Sequence, residues 1–333
     1  MNPKVSIGIV LFGEKYSQEM LPSLVQQDYP NVEFLLLDQE EDKWSASKFI
    51  EEKMPAIFHD PRVKIERGRN LWHSGGHNKL IHKALDGGAD YYICGSNDML
   101  YPPDLVSRTI IELEKPEHSK FGSATVKLLQ WDFENKKKTK TIDSCGIGIR
   151  KSHYFYDRGQ GAKDGGQFDQ QREIFGASGA LTILRKTALQ SIETQNNFFD
   201  EKLHYKNDVD LAYRLQWLGW KSLFIPSVEV FHDRQLNRES SLFQFIEKRR
   251  KVARWAKESS LWGHLVVLEK NFSANFSWQV KCATRFYNFK KIIYFIFCEP
   301  YLLKQFWKIR EIKAELRKSR KNVSVDKIEK FMN

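Results

Sequence analysis

The stretch NVEFLLLDQEEDKWSASKFIEEKM, residues 31–54, contains the pattern that decides the fold. Its apolar run predicts a buried β-strand that ends at Asp38, and WSASKFIEEKM predicts a helix because apolar residues recur at helical spacing. A strand, a polar turn and a helix in succession are the repeating unit of parallel α/β sheets. Residues 31–54 therefore predict one such unit.

The same alternation continues on both sides of this unit, over about the first 115 residues. The segments are, in order, KVSIGIVLF and SQEMLPSLVQQ before it, then RVKIER, SGGHNKLIHKALDGG, DYYICG and PDLVSRTIIELEK after it. Repeated βαβ units predict a mainly parallel sheet with helices on both faces. Ligands bind outside the carboxyl ends of strands in such sheets, and Asp38 and Asp98 both fall at predicted strand ends.

The pattern changes after residue 120. FGSATVKLLQWDF and KTIDSCGIGIR predict longer alternating strands, and residues 156–171, which are rich in glycine, predict a long mobile loop. A strand and helix follow in GALTILRKTALQSI, and NDVDLAYRLQWLGW predicts an amphipathic helix. The segments KSLFIP and SVEVFHD predict two short strands.

Composition restricts the class of protein. The chain has 333 residues, 41% of them hydrophobic and 29% charged, which predicts a packed globular core. Its four cysteines form no CxxC pair, which argues against a zinc site or a disulfide scaffold and fits a reducing compartment. We identify no signal peptide, and the best candidate for a membrane span, residues 292–303, is short and broken by Glu299-Pro300. A cytoplasmic location is therefore expected.

The positive charge lies at one end of the chain. Residues 236–333 contain 22 Lys and Arg against 9 Asp and Glu, a net charge of +13, whereas the remainder has a net charge of −2. We therefore predict two domains, residues 1–235 and a basic, aromatic-rich helical extension at 236–333, with an acidic partner such as an anionic membrane surface or a nucleic acid. The extension lacks any recognisable nucleic-acid module, which disfavours the nucleic acid.

A second amphipathic pattern lies after Pro300. One helix face carries Leu302, Phe306, Ile309 and Leu316, and the other carries Lys304, Lys308, Glu311 and Lys318. A basic amphipathic helix with aromatic residues is typical of a peripheral helix on the inner face of a membrane. The same pattern also fits a helix packed on its own domain or against a second subunit in a homo-oligomer.

Three polar residues could carry chemistry. The dinucleotide and P-loop fingerprints are absent, so a nucleotide would be bound in another way. Asp98 ends a strand, Asp208 begins a helix in NDVDL, and His232 follows a strand in VFHD. A carboxylate and an imidazole can hold Mg²⁺ or Mn²⁺ on a diphosphate, and a second carboxylate can deprotonate a hydroxyl. Singly, these residues also fit a turn, a helix cap and a partly buried histidine.

Taken in order, these segments resemble a known family over about residues 4–233. The chain is similar to the family 2 glycosyltransferases of the GT-A fold, close to their rhamnosyltransferase-like branch. The segments that carry the resemblance are VSIGIVLFGEKYSQEMLPSLVQQDYPNVEFLLLDQEEDKWS, NLWHSGGHNKLIHKAL, SNDMLYPPDL, FGASGALTILRKTAL and FFDEKLHYKNDVDLAYRLQWLGWKSLFIPSVEVFHD. It implies an α/β nucleotide-diphospho-sugar transferase fold with a mainly parallel sheet and a C-terminal helical extension.

The resemblance also implies roles for individual residues. Asp208 would be the catalytic base, and Asp98 and His232 would hold the divalent metal on the diphosphate. The residues implied at the nucleotide-sugar are Phe12, Asp38, Asn70, Gly76, Asn78, Ser96, Asn97, Gly176 and Ala177. The implied activity is metal-dependent, inverting transfer from a UDP- or dTDP-sugar to a saccharide or lipid-linked saccharide in cell-surface polysaccharide synthesis.

The chain departs from the family pattern at three places. Ser96 replaces the first ligand of the metal motif, Asn207 replaces a Glu before the base, and Trp72-His73 replaces a turn of small residues. These changes leave open an alternative, a family member that binds sugar nucleotide or glycan but has impaired catalysis. His73 and His77 are four residues apart, but without a nearby Glu they form no HExxH motif, so we predict no metal role for them.

Overall fold

The computed structural model describes residues 2–13, 15–39, 45–194, 197–234, 249–318 and 325–333. The strands are β1 Val5–Leu11, β2 Val32–Asp38, β3 Val63–Arg67, β4 Tyr91–Gly95, β5 Met99–Leu100, β6 Phe121–Asp132, β7 Lys137–Ser144, β8 Ile147–Ile149, β9 Phe155–Asp157, β10 Glu173–Ile174, β11 Leu181–Arg185 and β12 Lys221–His232. The α-helices are α1 Ser17–Val25, α2 Ala46–Lys53, α3 Pro55–Phe58, α4 Trp72–Asp86, α5 Leu105–Leu113, α6 Lys186–Ile192, α7 Asn207–Trp217, α8 Arg254–Asn271, α9 Trp278–Cys298, α10 Lys304–Lys318 and α11 Asp326–Glu329.

The large sheet is mainly parallel, as predicted, with a few antiparallel strands. Its main order is β10-β12-β6-β11-β4-β1-β2-β3, with β5 and β7 paired at the side. The first four βαβ strands are parallel as predicted, with β1 between β2 and β4 and β3 beside β2. Strand β11 then runs antiparallel to both β4 and β6, and β12 is parallel to β6. Strands β6 and β12 therefore keep the direction of β1 to β4, and in the main order only β11 and β10 run the opposite way.

Helices cover both faces of the sheet. Along β2, Phe34 and Leu36 belong to one apolar cluster, whereas Leu35 and Leu37 belong to another, on the opposite face. All four side chains are at most 1% exposed. A strand with both faces buried has a continuous apolar sequence rather than an alternating one, which explains the unbroken apolar run before Asp38.

Two strand predictions need correction. KSLFIP and SVEVFHD form the single strand β12, which shifts register against β6 between Ile225 and Glu229, where Pro226 has no N–H to donate. KTIDSCGIGIR instead divides into β7 and β8. Gly146 lies between them at φ +92°, and a Cβ there would lie 2.3 Å from Ile174, so the turn requires glycine.

The glycine-rich loop is anchored to the sheet. The Lys127 ammonium, on β6, contacts Asp164 at 3.0 Å and Asp169 at 2.9 Å, and the Lys127 side chain is only 5% exposed. The Arg158 guanidinium donates to the Cys145 carbonyl at 2.8 Å. Buried ion pairs of this kind fix a backbone because separating the charges is costly. Residues 156–171 are therefore anchored beside the sheet, which differs from the mobile loop predicted from the sequence.

The C-terminal helices share an apolar cluster with α7 and β8. Leu302, Ile309 and Leu316 are at most 8% exposed within it. The apolar face after Pro300 therefore packs on its own chain, and its interpretation as a membrane-facing surface is wrong. Among the described residues, every helix is too short or too polar to cross a bilayer.

We expect Asn78→Ala to destabilise the fold. The Asn78 side chain is 2% exposed, and its oxygen accepts the backbone N–H groups of Phe198 and Phe199 at 3.1 and 2.8 Å. Without that oxygen, two buried N–H groups lose their acceptor, which costs about 2–4 kcal/mol in the free energy of unfolding. Urea denaturation measures this difference. Asn70→Ala, an exposed amide before α4, is the matched control and should cost about 1 kcal/mol or less; equal losses would contradict the assignment.

Candidate active site

The end of β4 and the end of β12 meet at the carboxyl edge of the sheet. Leu100, on β5, pairs with Phe231 on β12, and this pairing places Asp98 beside His232. The Asp98 carboxylate lies 3.3 Å from His232 Nε2, and the Asp233 N–H donates to the Asp98 carbonyl at 3.0 Å. The structure thus brings together the two residues predicted to hold a metal, although they are far apart in sequence.

A buried acidic residue orients His232 from behind. Asp143, on β7, is 1% exposed and accepts hydrogen bonds from His232 Nδ1 and from Arg234, both at 2.8 Å. Arg234 also donates to Asp157 at 2.6 Å. Burial opposes a charged imidazole, but the hydrogen bonds to Asp143 and Asp98 outweigh it and raise the pKa of His232 to about 10. The ring is therefore an imidazolium at neutral pH.

The pair Asp98 and His232 fits a divalent cation. Carboxylate and imidazole together suit Mn²⁺ and related ions. The bond between His232 Nδ1 and Asp143 is the outer contact that usually orients a metal-binding histidine. A cation at this site needs the neutral ring, so it would take the place of the His232 proton.

Asp208 lies in the first turn of α7. Lys206, with φ +70°, is the N-cap, so the alternative role of Asp208 as a helix cap is wrong. The Asp208 carboxylate accepts the Val209 N–H at 2.8 Å. A Cβ at Gly179 would lie 2.8 Å from Asp208, so only glycine allows this approach. Burial, reinforced by the charge of Asp157, raises the pKa of Asp208, although Lys206 opposes the shift.

Several other predicted residues lie along the same edge. Phe12 is 60% exposed after β1, and its carbonyl accepts a hydrogen bond from the Asn97 amide at 2.7 Å. Ser96 stands next to Asn97, and its carbonyl accepts the Tyr101 hydroxyl at 2.6 Å. Asn70 lies just before α4. Its side chain is exposed, and its oxygen accepts the Trp72 N–H at 2.8 Å.

Gly176 and Ala177 lie between β10 and β11. The Gly176 carbonyl accepts the Ile147 N–H at 2.8 Å, and Ala177 is 6% exposed. A Cβ at Gly176 would lie 2.5 Å from Ala212 on α7. This glycine therefore lets α7, with Asp208 at its start, pack closely on the sheet.

Three residues predicted at the nucleotide make close contacts within the fold. Asp38 is fully buried and accepts the Ser47 N–H at 3.1 Å, which anchors the start of α2. Gly76 lies against Val10, where a Cβ would be only 2.7 Å from the valine methyl carbon. The Asn78 amide is used to hold residues 198–199. The Asp38 and Asn78 side chains therefore have hydrogen-bond partners within the fold, and their predicted contact with the nucleotide stays a prediction.

The sequence analysis missed an exposed aromatic group. Trp72 and Trp255 are 50% and 53% exposed, with ring centroids 6.0 Å apart, and His204 lies 4.7 Å from Trp72. Trp72 has φ +57°, a conformation that costs a bulky side chain about 1–3 kcal/mol. The adjacent His73 is 3.1 Å from the Asn207 amide, so this group borders the start of α7. Trp72 was visible only as a departure from a family pattern.

A cavity of about 310 Å³ lies within the anchored loop. Asp157, Arg158, Phe168 and Gln171 are among its lining residues. Since Asp157 contacts Arg234, the cavity adjoins the network around Asp143.

The chain is similar in structure to several solved proteins. GalNAc-T7 with UDP, GalNAc and Mn²⁺ aligns with a TM-score of 0.55 and 13% identity over 82% of this chain and 48% of that one, so the chain spans about half its length. A mannosyltransferase from Pyrobaculum calidifontis in complex with GDP-Man and Mn²⁺ aligns at 0.49 and 14%, over 99% and 78%. S. aureus TarS 1-349 in complex with UDP-GlcNAc also aligns at 0.49 and 14%, over 84% and 78%.

No protein-family model and no curated protein matches the sequence. The structural likeness to GalNAc-T7 defines the fold, which is that of the GT-A glycosyltransferases, with a central sheet flanked by helices and a C-terminal helical region. The predicted fold class is therefore confirmed.

The charge on His232 predicts a pH-dependent stability. The pKa rises from 6.5 in the unfolded chain to about 10 in the fold, so the stabilisation is complete below pH 6.5 and is lost as the pH rises through 10. We expect His232→Gln to destabilise the metal-free protein by at least about 1 kcal/mol more at pH 6.5 than at pH 10. Urea titrations with a chelator measure this difference, and His59→Gln controls for loss of an exposed imidazole. The assignment would be refuted if the difference in the free energy of unfolding between wild type and His232→Gln were the same at both pH values.

Proposed function

We propose that this protein is an inverting glycosyltransferase, related to the rhamnosyltransferase-like branch of family 2. The observation that supports it is the arrangement at the carboxyl edge: Asp98 contacts His232, and the charge of Asp157 raises the pKa of Asp208. Asp157 is linked to His232 through Arg234 and Asp143. The donor would be a UDP- or dTDP-sugar, and the acceptor a saccharide or lipid-linked saccharide of a cell-surface polysaccharide.

The donor would lie along the ends of β1 and β4. Phe12, with its exposed ring beside Asn97, offers a surface for the base of the nucleotide. Asp98 and His232 would hold Mg²⁺ or Mn²⁺, which, when bound, neutralises charge on the diphosphate. Arg234 and Asp143 keep the His232 ring in place during this exchange of proton for cation.

Asp208 would act as the base. Its raised pKa makes it a stronger proton acceptor than an exposed carboxylate. The acceptor hydroxyl gives its proton to Asp208 while its oxygen forms a bond to the anomeric carbon. The bond from that carbon to the diphosphate oxygen breaks on the opposite side, so the configuration inverts. Gly179 leaves the space that the Asp208 carboxylate occupies.

The acceptor would bind between the aromatic group and the anchored loop. Exposed aromatic rings present apolar faces on which a sugar ring can stack, and Trp72 and Trp255 supply two of them beside α7. The cavity in residues 156–171 adjoins the same region through Asp157. A fixed wall and a stacking surface can orient one hydroxyl toward Asp208.

The surface that meets the membrane would be α9 rather than α10. An exposed apolar stripe runs along it over about five turns, each residue 40–81% exposed: Trp278, Phe286, Phe289, Ile293, Ile296 and Phe297. The helix carries four Lys and Arg and no Asp or Glu. Exposed apolar side chains on a helix of net positive charge match an anionic bilayer, which would bring the enzyme to a lipid-linked acceptor.

We expect Asp208→Asn to abolish transfer while nucleotide-sugar binding persists. A panel of nucleotide sugars is first tested for thermal stabilisation with Mn²⁺, because a ligand of the native state raises its stability. Turnover of the stabilising donor should then fall by about 10²–10⁴ in Asp208→Asn, with the thermal shift retained.

Two further variants test the geometry of this site. Gly179→Ala places a methyl group against the Asp208 carboxylate and should reduce turnover in the same way, whereas Asp98→Asn should remove the Mn²⁺-dependent part of the shift. Gly68→Ala, where the nearest atom to an added Cβ is Lys79 Nζ at 3.6 Å, controls for a methyl group alone. Full activity in Asp208→Asn would refute the base. Donor binding without any turnover in wild type would support the alternative, a catalytically impaired binding protein.

Removing the apolar stripe should release the protein from anionic vesicles. The double variant Phe289→Ser, Ile293→Ser removes two exposed side chains, and we expect at least about tenfold weaker partitioning to vesicles of phosphatidylcholine and phosphatidylglycerol. Ile111→Ser, 64% exposed on α5, is the matched control. Membrane docking would be contradicted if wild-type partitioning did not depend on the phosphatidylglycerol content of the vesicles. It would also be contradicted if the wild-type protein were a dimer and the double variant, but not the control, a monomer.

A further inference from the structure

Three side chains with metal-binding atoms meet below the aromatic group, outside the site proposed for Asp98. His73 and His77 lie one turn apart on α4, with ring centroids 4.5 Å apart. Cys94, on β4 beneath the helix, has its sulfur 3.9 Å from His73 Nε2. One ligand atom from each of the three residues lies within 4.8 Å of the other two. The strand thus supplies the third ligand that the sequence spacing of the two histidines lacks.

One nitrogen in this cluster is buried without a partner. His77 is fully buried, and its Nδ1 is 2.7 Å from the Tyr92 hydroxyl. Its Nε2 makes no hydrogen bond within the described part of the chain. Leaving a buried polar atom unsatisfied costs about 1–3 kcal/mol, so such an atom needs an explanation. An ion bound at Nε2 would satisfy it.

The surroundings already hold the His77 ring as a metal ligand is held, and the His73 ring has an amide at the corresponding position. Histidine ligands normally have their second nitrogen fixed by an outer hydrogen bond. The Tyr92 hydroxyl provides this contact for His77, and the Asn207 amide lies 3.1 Å from His73 Nδ1. With an ion at His73 Nε2, the ring proton moves to Nδ1, and the Asn207 side chain turns to present its oxygen.

We propose that His73, His77 and Cys94 form a binding site for Zn²⁺. Two imidazoles and a thiolate are ligands that zinc prefers, whereas Mg²⁺ and Mn²⁺ favour oxygen. Metal–ligand distances of about 2.0–2.3 Å require the separations between the three ligand atoms to shorten by up to about 1.5 Å. Binding releases the Cys94 thiol proton to solvent, and a water molecule takes the fourth position.

The position of the site determines how an ion would enter and how its binding would affect Asp208. His77 and Cys94 are at most 1% exposed, but His73 is only partly buried, so the ion enters past His73. Asn207 also accepts the Asp208 N–H at 2.9 Å. A turn of the Asn207 side chain on zinc binding would break that bond and shift the start of α7. Zinc would therefore change the position of Asp208 without touching the donor.

Cobalt tests the site directly, since a thiolate bound to Co²⁺ absorbs in the near ultraviolet. The protein is stripped of metal in a background with the exposed thiols removed, Cys282→Ser and Cys298→Ser. We expect one equivalent of Co²⁺ to produce the thiolate band and a tetrahedral visible spectrum, and Zn²⁺ to displace it. Cys94→Ser should remove the thiolate band, and His73→Gln should weaken binding at least about tenfold.

Matched variants separate this site from general effects. Cys145→Ser, another fully buried cysteine but in a different apolar cluster, should leave the spectrum intact, and so should Asp98→Asn. Far-ultraviolet circular dichroism checks that each variant is folded. No stoichiometric band in the parent protein, or a band that survives Cys94→Ser, would overturn the proposal. None of these measurements uses a sugar donor, so their outcome is independent of the proposed transferase activity.

Discussion

The buried carboxylate of Asp143 is the contact on which the candidate site depends. It lies on β7, 1% exposed, and accepts hydrogen bonds from His232 and Arg234 at the end of β12. These two cations hold the pKa of Asp143 below its usual range although burial would raise it. A buried charge is tolerated only with such partners, so the end of β12 is fixed against β7. That constraint places the His232 ring beside Asp98.

The starts of helices α4 and α7, near Asp208, both contain a residue with a strained backbone conformation. Trp72 and Lys206 both have positive φ, immediately before His73 and Asn207. Each costs free energy that the surrounding packing must offset. The two helices α4 and α7 thereby meet through the contact between His73 and Asn207. The aromatic group, the histidine and cysteine cluster and Asp208 are consequently neighbours around one junction.

The amphipathic pattern after Pro300 suggested either packing on the same chain or docking on a membrane. In the structure α10 packs on its own chain, and α9 is the helix that exposes an apolar face. The apolar face of α10 completes a core that includes α7 and so stabilises the region of Asp208. On α9 the buried residues are fewer, and a second apolar face is exposed with basic residues around it. Periodicity detects an apolar face but not what covers it, because that depends on where the helix is packed. The sequence pattern therefore could not tell which of the two helices, α9 or α10, exposes an apolar face.

The sequence by itself determined the alternation of strands and helices, the strand-end positions of Asp38 and Asp98 and the helix that begins near Asp208, because these follow from local periodicity and turn residues. Only the tertiary structure decided which partners the polar side chains have. Asp38 and Asn78 are satisfied by neighbouring backbone, whereas His232 gains Asp143 from a strand 89 residues away. Cys94 meets His73 and His77 because β4 passes beneath α4, a contact that no spacing rule encodes. Burial and long-range pairing set these contacts, and neither can be read from a local pattern.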